Sequence, residues 1–299
     1  MIDEPLDSPP PLLLTGTPGE RRRRFVNGLM TLLARLAAWL AVAVLAIVVG
    51  SVFVKGIGAL NLDFLTKNPV PFGQTGGGIA NSIVGTVILV ALATVMAVPI
   101  GILIAIYTSE FARPALANAV RFALDILNGI PTIVIGIFVF GVLVVGHTQS
   151  GLAGAVALAI VMLPLTARSA HEVLTLFPSS LREAGLALGL KRWRIVLRIM
   201  LPTAAGGLIT GVVLGIARIA GETAPLLFTS SIFSNFGITT NVSQALPNIP
   251  VTIFTLSESP SPADHEQAWA AALLLILMVL ILSVVARTFH ERSRHRLRG

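Results

Sequence analysis

Apolar positions in this chain run on in long blocks, with neither the two-residue alternation of a half-buried strand nor a clear polar face of helical period. Blocks of about 20 residues match the roughly 30 Å hydrocarbon layer of a bilayer when wound as helix at 1.5 Å per residue. Six spans are predicted, over 32–54, 79–107, 122–145, 152–165, 204–228 and 268–285. The fourth is short, and is expected to draw on residues from Gly146 onward or to continue past Pro164 toward Leu174. A β-barrel would alternate within segments of about ten residues, and this chain does not. The predicted class is therefore an all-α integral membrane protein. Residues 1–30, proline-rich at their start, read as a disordered tail. Residues 31–287 form the six-span domain and 288–299 a basic tail. The apolar run after Arg21–Arg24 exceeds the 7–15 residues of a signal-peptide core, so it reads as a retained first span.

Composition agrees with that picture. Of 299 residues, 55% are hydrophobic and 12% charged, about half the charge of a soluble domain. There is no cysteine, which excludes disulfides, thiolate metal sites and a cysteine nucleophile from this chain. The net charge of +7 matters less than where the cations lie. Of 21 Lys and Arg, 18 fall in the N-terminal segment, between spans two and three, between spans four and five, or in the C-terminal tail. In a six-span chain these four regions share one side, and the positive-inside rule makes that side cytoplasmic, with both termini. Lys55 and Lys67 lie opposite, and Arg218 belongs to neither face. So distributed, the basic residues point to membrane lipid, with no nucleic-acid partner.

The loop between spans four and five reads "EAGLALGLKRWRIVLRIMLP" (183–202). Its charge suits a cationic amphipathic helix on an anionic inner leaflet. Its spacing goes further. Glu183 and Ala184 favour a short helix, and Gly189 a C-terminal turn with positive φ. The set Glu183-Ala184-Gly185, Gly189 and Ile199-x-Leu201-Pro202 resembles the EAA loop of ABC-importer permeases, with Gly185 where that family usually has Ala. The resemblance implies a type I ABC importer permease fold, in which the loop, about 172–202, docks on an ATPase. This chain has no GxxxxGK[ST] phosphate loop. ATP and its Mg ion are accordingly expected on a separate ATPase subunit, with no cofactor here.

Span five carries the remaining chemistry. Gly207, Gly211 and Gly215 recur every fourth residue, a stripe that admits close helix packing, within the chain or against a partner. Arg218 follows Pro202 by 16 residues, roughly 24 Å of helix, too deep for simple snorkelling to the inner surface. Glu222 lies at i+4, on the same helical face. The pair reads either as a neutralised lock on the bundle or as an anion site. A guanidinium is permanently charged and shaped for bidentate contact with oxyanions. A nearby carboxylate keeps it from holding the anion too tightly and can accept a hydrogen bond from a protonated one.

"ARIAGETAPLLFT" (217–229), "NGIPTIVIGIF" (128–138), "LPLTARSAHEVL" (163–174), "LPNIPVTIF" and "AWAAALLLILMVL" resemble stretches of the permeases of phosphate-specific ABC importers. That resemblance implies half of a heterodimeric permease, completed by a sister permease, two ATPase copies and an extracytoplasmic phosphate-binding protein, in a bacterial cytoplasmic membrane. It places Arg218, Glu222 and Arg168 on the phosphate path, although Arg168, at the inner end of span four, also reads as a snorkelling cation. Permeases for sulfate, molybdate or phosphonate share the architecture, and a phosphate-signalling role is compatible with it. The five histidines are scattered without metal-ligand spacing, and no carboxylate–histidine grouping suggests an enzyme. "LPNIPVTIF" reads either as a receiving surface for the binding protein or as a loop folded onto the bundle.

Overall fold

The computed structural model describes residues 18–71, 76–231 and 237–296. Every regular element among them is helical. The chain divides into two compact units, residues 1–51 and 52–299. In the first, the described residues belong to one uninterrupted helix, α1 (Pro18–Gly56). It is long and apolar enough to cross a membrane. Residues 18–30 of the expected disordered tail are helical, and residues 1–17 lie outside the described part.

In the second unit a short helix α2 (Leu62–Thr66), capped by the Asn61 side chain, leads to α3 (Ala80–Ile106). A π-helical turn, Tyr107–Phe111, finishes α3. Then come α4 (Pro114–Gly129) and α5 (Thr132–Val139), the latter with its own π turn at Phe140–Val144. Next follow α6 (Gly151–Thr175) and the short α7 (Ser179–Ala187). A helix running from Arg192 to Ala220 comprises α8 (Arg192–Ile195), a π turn at Val196–Met200 and α9 (Leu201–Ala220). The chain ends with α10 (Ala224–Thr229), α11 (Ile249–Ser257) and α12 (Pro262–Arg296). Helix α12 takes in most of the predicted basic tail, which is helical to Arg296.

Three predicted spans change shape. Span four does continue past Pro164, to Thr175. Span three is not one helix: α4 and α5 with its π turn meet at 94° across Ile130–Pro131. The cause is local, because proline disfavours helical geometry in the residue before it, and Ile130 is extended at φ −69°, ψ 130°. Span five stops at Ala220 and resumes only as the single turn and a half of α10. Among the described residues five helices are long and apolar enough to span a membrane, and six when the bent pair counts as one.

Helix α6 is the centre of the second unit. On one side it packs along α3, whose buried Gly85, Leu89, Ala93, Ala97, Gly101 and Ala105 recur every fourth residue. Small residues at that period let two backbones approach where lipid provides no hydrophobic drive between helices. A Cβ on Gly101 would lie 3.1 Å from the backbone of Ala167. On the other side α6 meets α9. Leu158, Met162, Ile219 and Leu246 fill the shared core.

Candidate functional site

Arg218 lies in the last turn of α9, where the partial negative charge of the free carbonyls favours a cation. After Ala220 the chain leaves helix at Gly221 (φ −98°, ψ 2°), and α10 restarts with Pro225 in its first turn, where a missing N–H leaves nothing unsatisfied. Arg218 Nε donates to Glu222 Oε1 at 3.1 Å. The predicted i,i+4 pair forms, but around a helix end and not along a continuous helix. The Glu222 side chain is 13% exposed and that of Arg218 63%, so the carboxylate is enclosed and the guanidinium presented.

A cavity of about 570 Å³ lies against that guanidinium. Its wall takes Arg218 and Ala224 from the two sides of the helix break, Asn128, Pro131 and Thr132 from the α4–α5 corner, and Val161 and Leu165 from α6. Glu222 is not part of this wall. The corner and the end of α9 therefore converge, although some 90 residues separate them in sequence. The first turn of α5, which has no side-chain cap, opens on this space and adds the positive end of a helix dipole to the arginine.

Arg168 is elsewhere. It lines a second cavity, of about 440 Å³, between α4, α6 and the π turn after α3. Its Nη1 donates to Asp125 Oδ1 at 2.9 Å and its Nε to Glu172 Oε1 at 3.4 Å. Arg121 bonds Asn118, and His171 Nδ1 meets the Thr108 hydroxyl at 3.1 Å. Asn118, Arg121, Asp125 and Asn128 follow one another at helical spacing along α4, so one polar stripe borders both cavities. Arg168 and Arg218 thus line two separate cavities, both bounded by α4 and α6. Arg121, Asp125, Asn128, Thr132 and His171 had no role assigned from sequence. The partners of Asp125 and His171 lie 43 and 63 residues away, and only the 3-4-3 spacing of polar residues on α4 was there to be read.

The glycine stripe faces inward. A Cβ on Gly207 would meet Val173 at 2.7 Å, one on Gly211 Ser169 at 2.8 Å and one on Gly215 Met162 at 3.0 Å. As the glycine number rises its α6 neighbour falls, so α9 runs antiparallel to α6. The stripe is a seam within the chain.

The 183–202 loop folds as α7, a turn and α8. Gly189 adopts φ +75°, with Leu190 N–H on Gly185 O at 3.1 Å and Gly189 N–H on Leu186 O at 2.9 Å, a Schellman termination. Glu183 and Ala184 are exposed. Gly185 is buried, and the Ile195 side chain fills the space its Cβ would take, at 2.9 Å. Ala at this position would press on Ile195, which accounts for Gly here. Leu181, Leu186 and Leu188 stand exposed beside Glu183, giving α7 a partly apolar outer surface.

Residues 246–251 of the "LPNIPVTIF" segment are buried. Asn248 caps α11 through Val251 N–H and donates to Ser230 O, and Ile249 N–H reaches the Thr86 hydroxyl on α3. The segment is folded onto the bundle. Among the described residues no group of three His, Cys, Asp or Glu is placed to hold a metal ion.

Residues 97–299 match the family model for binding-protein-dependent transport system inner membrane components. The chain is 41% identical to the phosphate transport system permease protein PstA of Yersinia pestis, over 82% of this chain and 83% of that protein. It is also 41% identical to the protein of the same name from Pasteurella multocida (89% and 95% covered). With the probable counterpart from Methanocaldococcus jannaschii it shares 37% (88% and 90%). Among solved structures, a bacterial alginate ABC transporter in complex with its pentasaccharide-bound periplasmic protein superposes with a TM-score of 0.63, at 14% identity, over 91% of this chain and 96% of the other. The inward-facing MetNI methionine ABC transporter gives 0.56 at 19%, over 72% and 93%.

Proposed function

The chain belongs to the family of binding-protein-dependent transport system inner membrane components, and from that premise we propose that it is the permease subunit of an ATP-driven importer of inorganic phosphate. It forms half of the pathway beside a sister permease in the cell membrane. Two copies of an ATPase subunit, which carry ATP and Mg, drive it from the cytoplasm, and an extracytoplasmic phosphate-binding protein delivers the substrate. The 18 one-sided cations support cytoplasmic termini and a cytoplasmic α7. Exposed Glu183, Ala184 and the leucines around them support α7 as the surface the ATPase engages.

The observation that carries the substrate path is the convergence of Arg218, Asn128, Thr132 and the start of α5 on one cavity. A fixed cation, two neutral hydrogen-bonding side chains and a helix N-terminus suit a phosphate oxyanion in transit, with no covalent step. Glu222, set behind the guanidinium and outside the cavity wall, weakens its hold on the anion, and conduction needs an anion that can leave. Arg168, in the second cavity and shared between two carboxylates, is a second and looser station.

Uptake of labelled phosphate and sulfate by cells carrying Arg218→Ala tests this. Loss of phosphate entry with the complex still assembled and hydrolysing ATP supports the pathway role over a lock on the bundle. Unchanged phosphate entry removes Arg218 from the path. Preferential sulfate uptake by the unaltered complex reassigns the substrate.

A further inference from the structure

Glu110 and Arg182 are 72 residues apart and form an ion pair. Glu110 lies in the π turn that finishes α3, and Arg182 is the fourth residue of α7. Three of the other ion pairs among the described residues leave both side chains more than half exposed, whereas the Glu110 side chain is 7% exposed and that of Arg182 36%. Arg182 Nε is buried as well, with no hydrogen-bond partner of its own. A charge pair screened from water is stronger and more directional than a surface one.

The placement matters more than the strength. Along the chain, α7 is joined to α6 through residues 176–178 and to α9 through α8. Its side-chain tie to α8 is the Gly185–Ile195 contact. Both links reach α3 through an apolar core in which Phe177, Val196 and Met200 meet Ala105. The π turn adds the polar ties: it presents Thr108 to His171 on α6 and Glu110 to Arg182 on α7 itself. Widened turns of this kind often mark functional positions because they admit a local change of geometry. Helix α3 packs along the length of α6, and α6 carries the glycine seam of α9, the helix that holds Arg218.

We propose that the Arg182–Glu110 pair is the tie by which displacement of α7 is passed to α3, making both positioning residues for the coupling of ATP hydrolysis to transport. The proposal rests on α7 being the ATPase-facing helix. Without the pair, α7 is held to α3 only through the non-directional apolar contacts of Phe177, so its displacement is passed on incompletely and hydrolysis proceeds without full opening of the pathway.

The test uses the whole complex in vesicles with its binding protein, measuring phosphate uptake and ATP hydrolysis together. Glu110→Gln and Arg182→Gln are each expected to keep hydrolysis within about twofold while lowering phosphate moved per ATP at least fivefold, the lower end of typical coupling factors, about 5–150-fold. The double variant is expected to be no worse than the poorer single one, as for two halves of one link. If Glu110→Gln does not assemble, Arg182→Gln, on the more exposed partner, carries the measurement. An unchanged ratio, or equal losses in uptake and hydrolysis, reduces the pair to a structural staple and overturns the proposal. Leu186→Asp separates the underlying reading: if it leaves the ATPase bound on purification, α7 is not the docking helix, whatever the ratio shows.

Discussion

Arg218 and Glu222 pair around the end of a helix, with the guanidinium Nε 3.1 Å from a carboxylate that follows the last helical residue, Ala220. Only the arginine lines the cavity. On the proposed path, an anion in that cavity would meet a cation whose charge is partly answered from behind, and that balance would set how long it stays.

Glu222→Gln removes that answering charge and leaves the shape. Phosphate is expected to bind more tightly and leave more slowly, so KM and maximal uptake both fall, each by a few-fold, as for the loss of one charge-assisted bond. Initial-rate uptake across a phosphate series reads both. A rise in KM instead would place the carboxylate in direct contact with substrate.

Arg168 tests the second station. Its two partners are more than half exposed, so Arg168→Ala is expected to cost no more than about 1 kcal/mol of stability in detergent. Phosphate uptake is nonetheless expected to drop tenfold or more. Equal, small effects on melting and uptake would mark Arg168 as a latch between α4 and α6 and nothing further.

The α6–α9 seam leaves no room for side chains on one of its helices. Gly211→Ala places a Cβ 2.8 Å from that of Ser169 and is expected to destabilise the chain by about 1–3 kcal/mol, the usual cost of overpacking. Adding Ser169→Gly is expected to return most of it. Thermal unfolding of the purified complex measures both, and additive losses would mean the two residues do not share the contact.

Gly189 faces open space, so a side chain there meets only backbone resistance. Gly189→Ala is expected to cost about 1–2 kcal/mol for left-handed geometry and to weaken ATPase retention, with Gly189→Asn milder because Asn tolerates that region. Retention on affinity purification orders the three.

Features set by a few neighbouring residues were legible in the sequence. The Gly189 turn, the continuation past Pro164 and the Arg218–Glu222 pair each depend on residues within a few positions of one another. Pro131 marked a candidate kink in span three but not a right-angled corner, because hydropathy summed over 122–145 does not register direction, although Asn128-Gly129-Ile130-Pro131 carried the break. Likewise Gly221 and Pro225 punctuate span five inside an apolar run.

What needed coordinates was pairing at a distance. Asp125 finds Arg168 over 43 residues, Thr108 finds His171 over 63 and Glu110 finds Arg182 over 72. Nothing near any of these residues names its partner. The every-fourth-residue row on α3 was open to the same reading as the glycines of α9. It was less visible because Leu89 interrupts it and alanine is common in apolar spans.

The π turn at Val196–Met200 sets the angle at which α9 leaves the loop. Each residue of α-helix turns the chain by about 100°. A π turn takes in one residue more than an α turn, so tightening it would swing Gly207, Gly211 and Gly215 away from α6 and turn Arg218 out of its cavity. At this point the sequence length is itself a dial. Deleting one exposed residue there, such as Leu197, leaves a regular helix with everything beyond still aimed correctly, whereas regularising the turn at full length misdirects half the site.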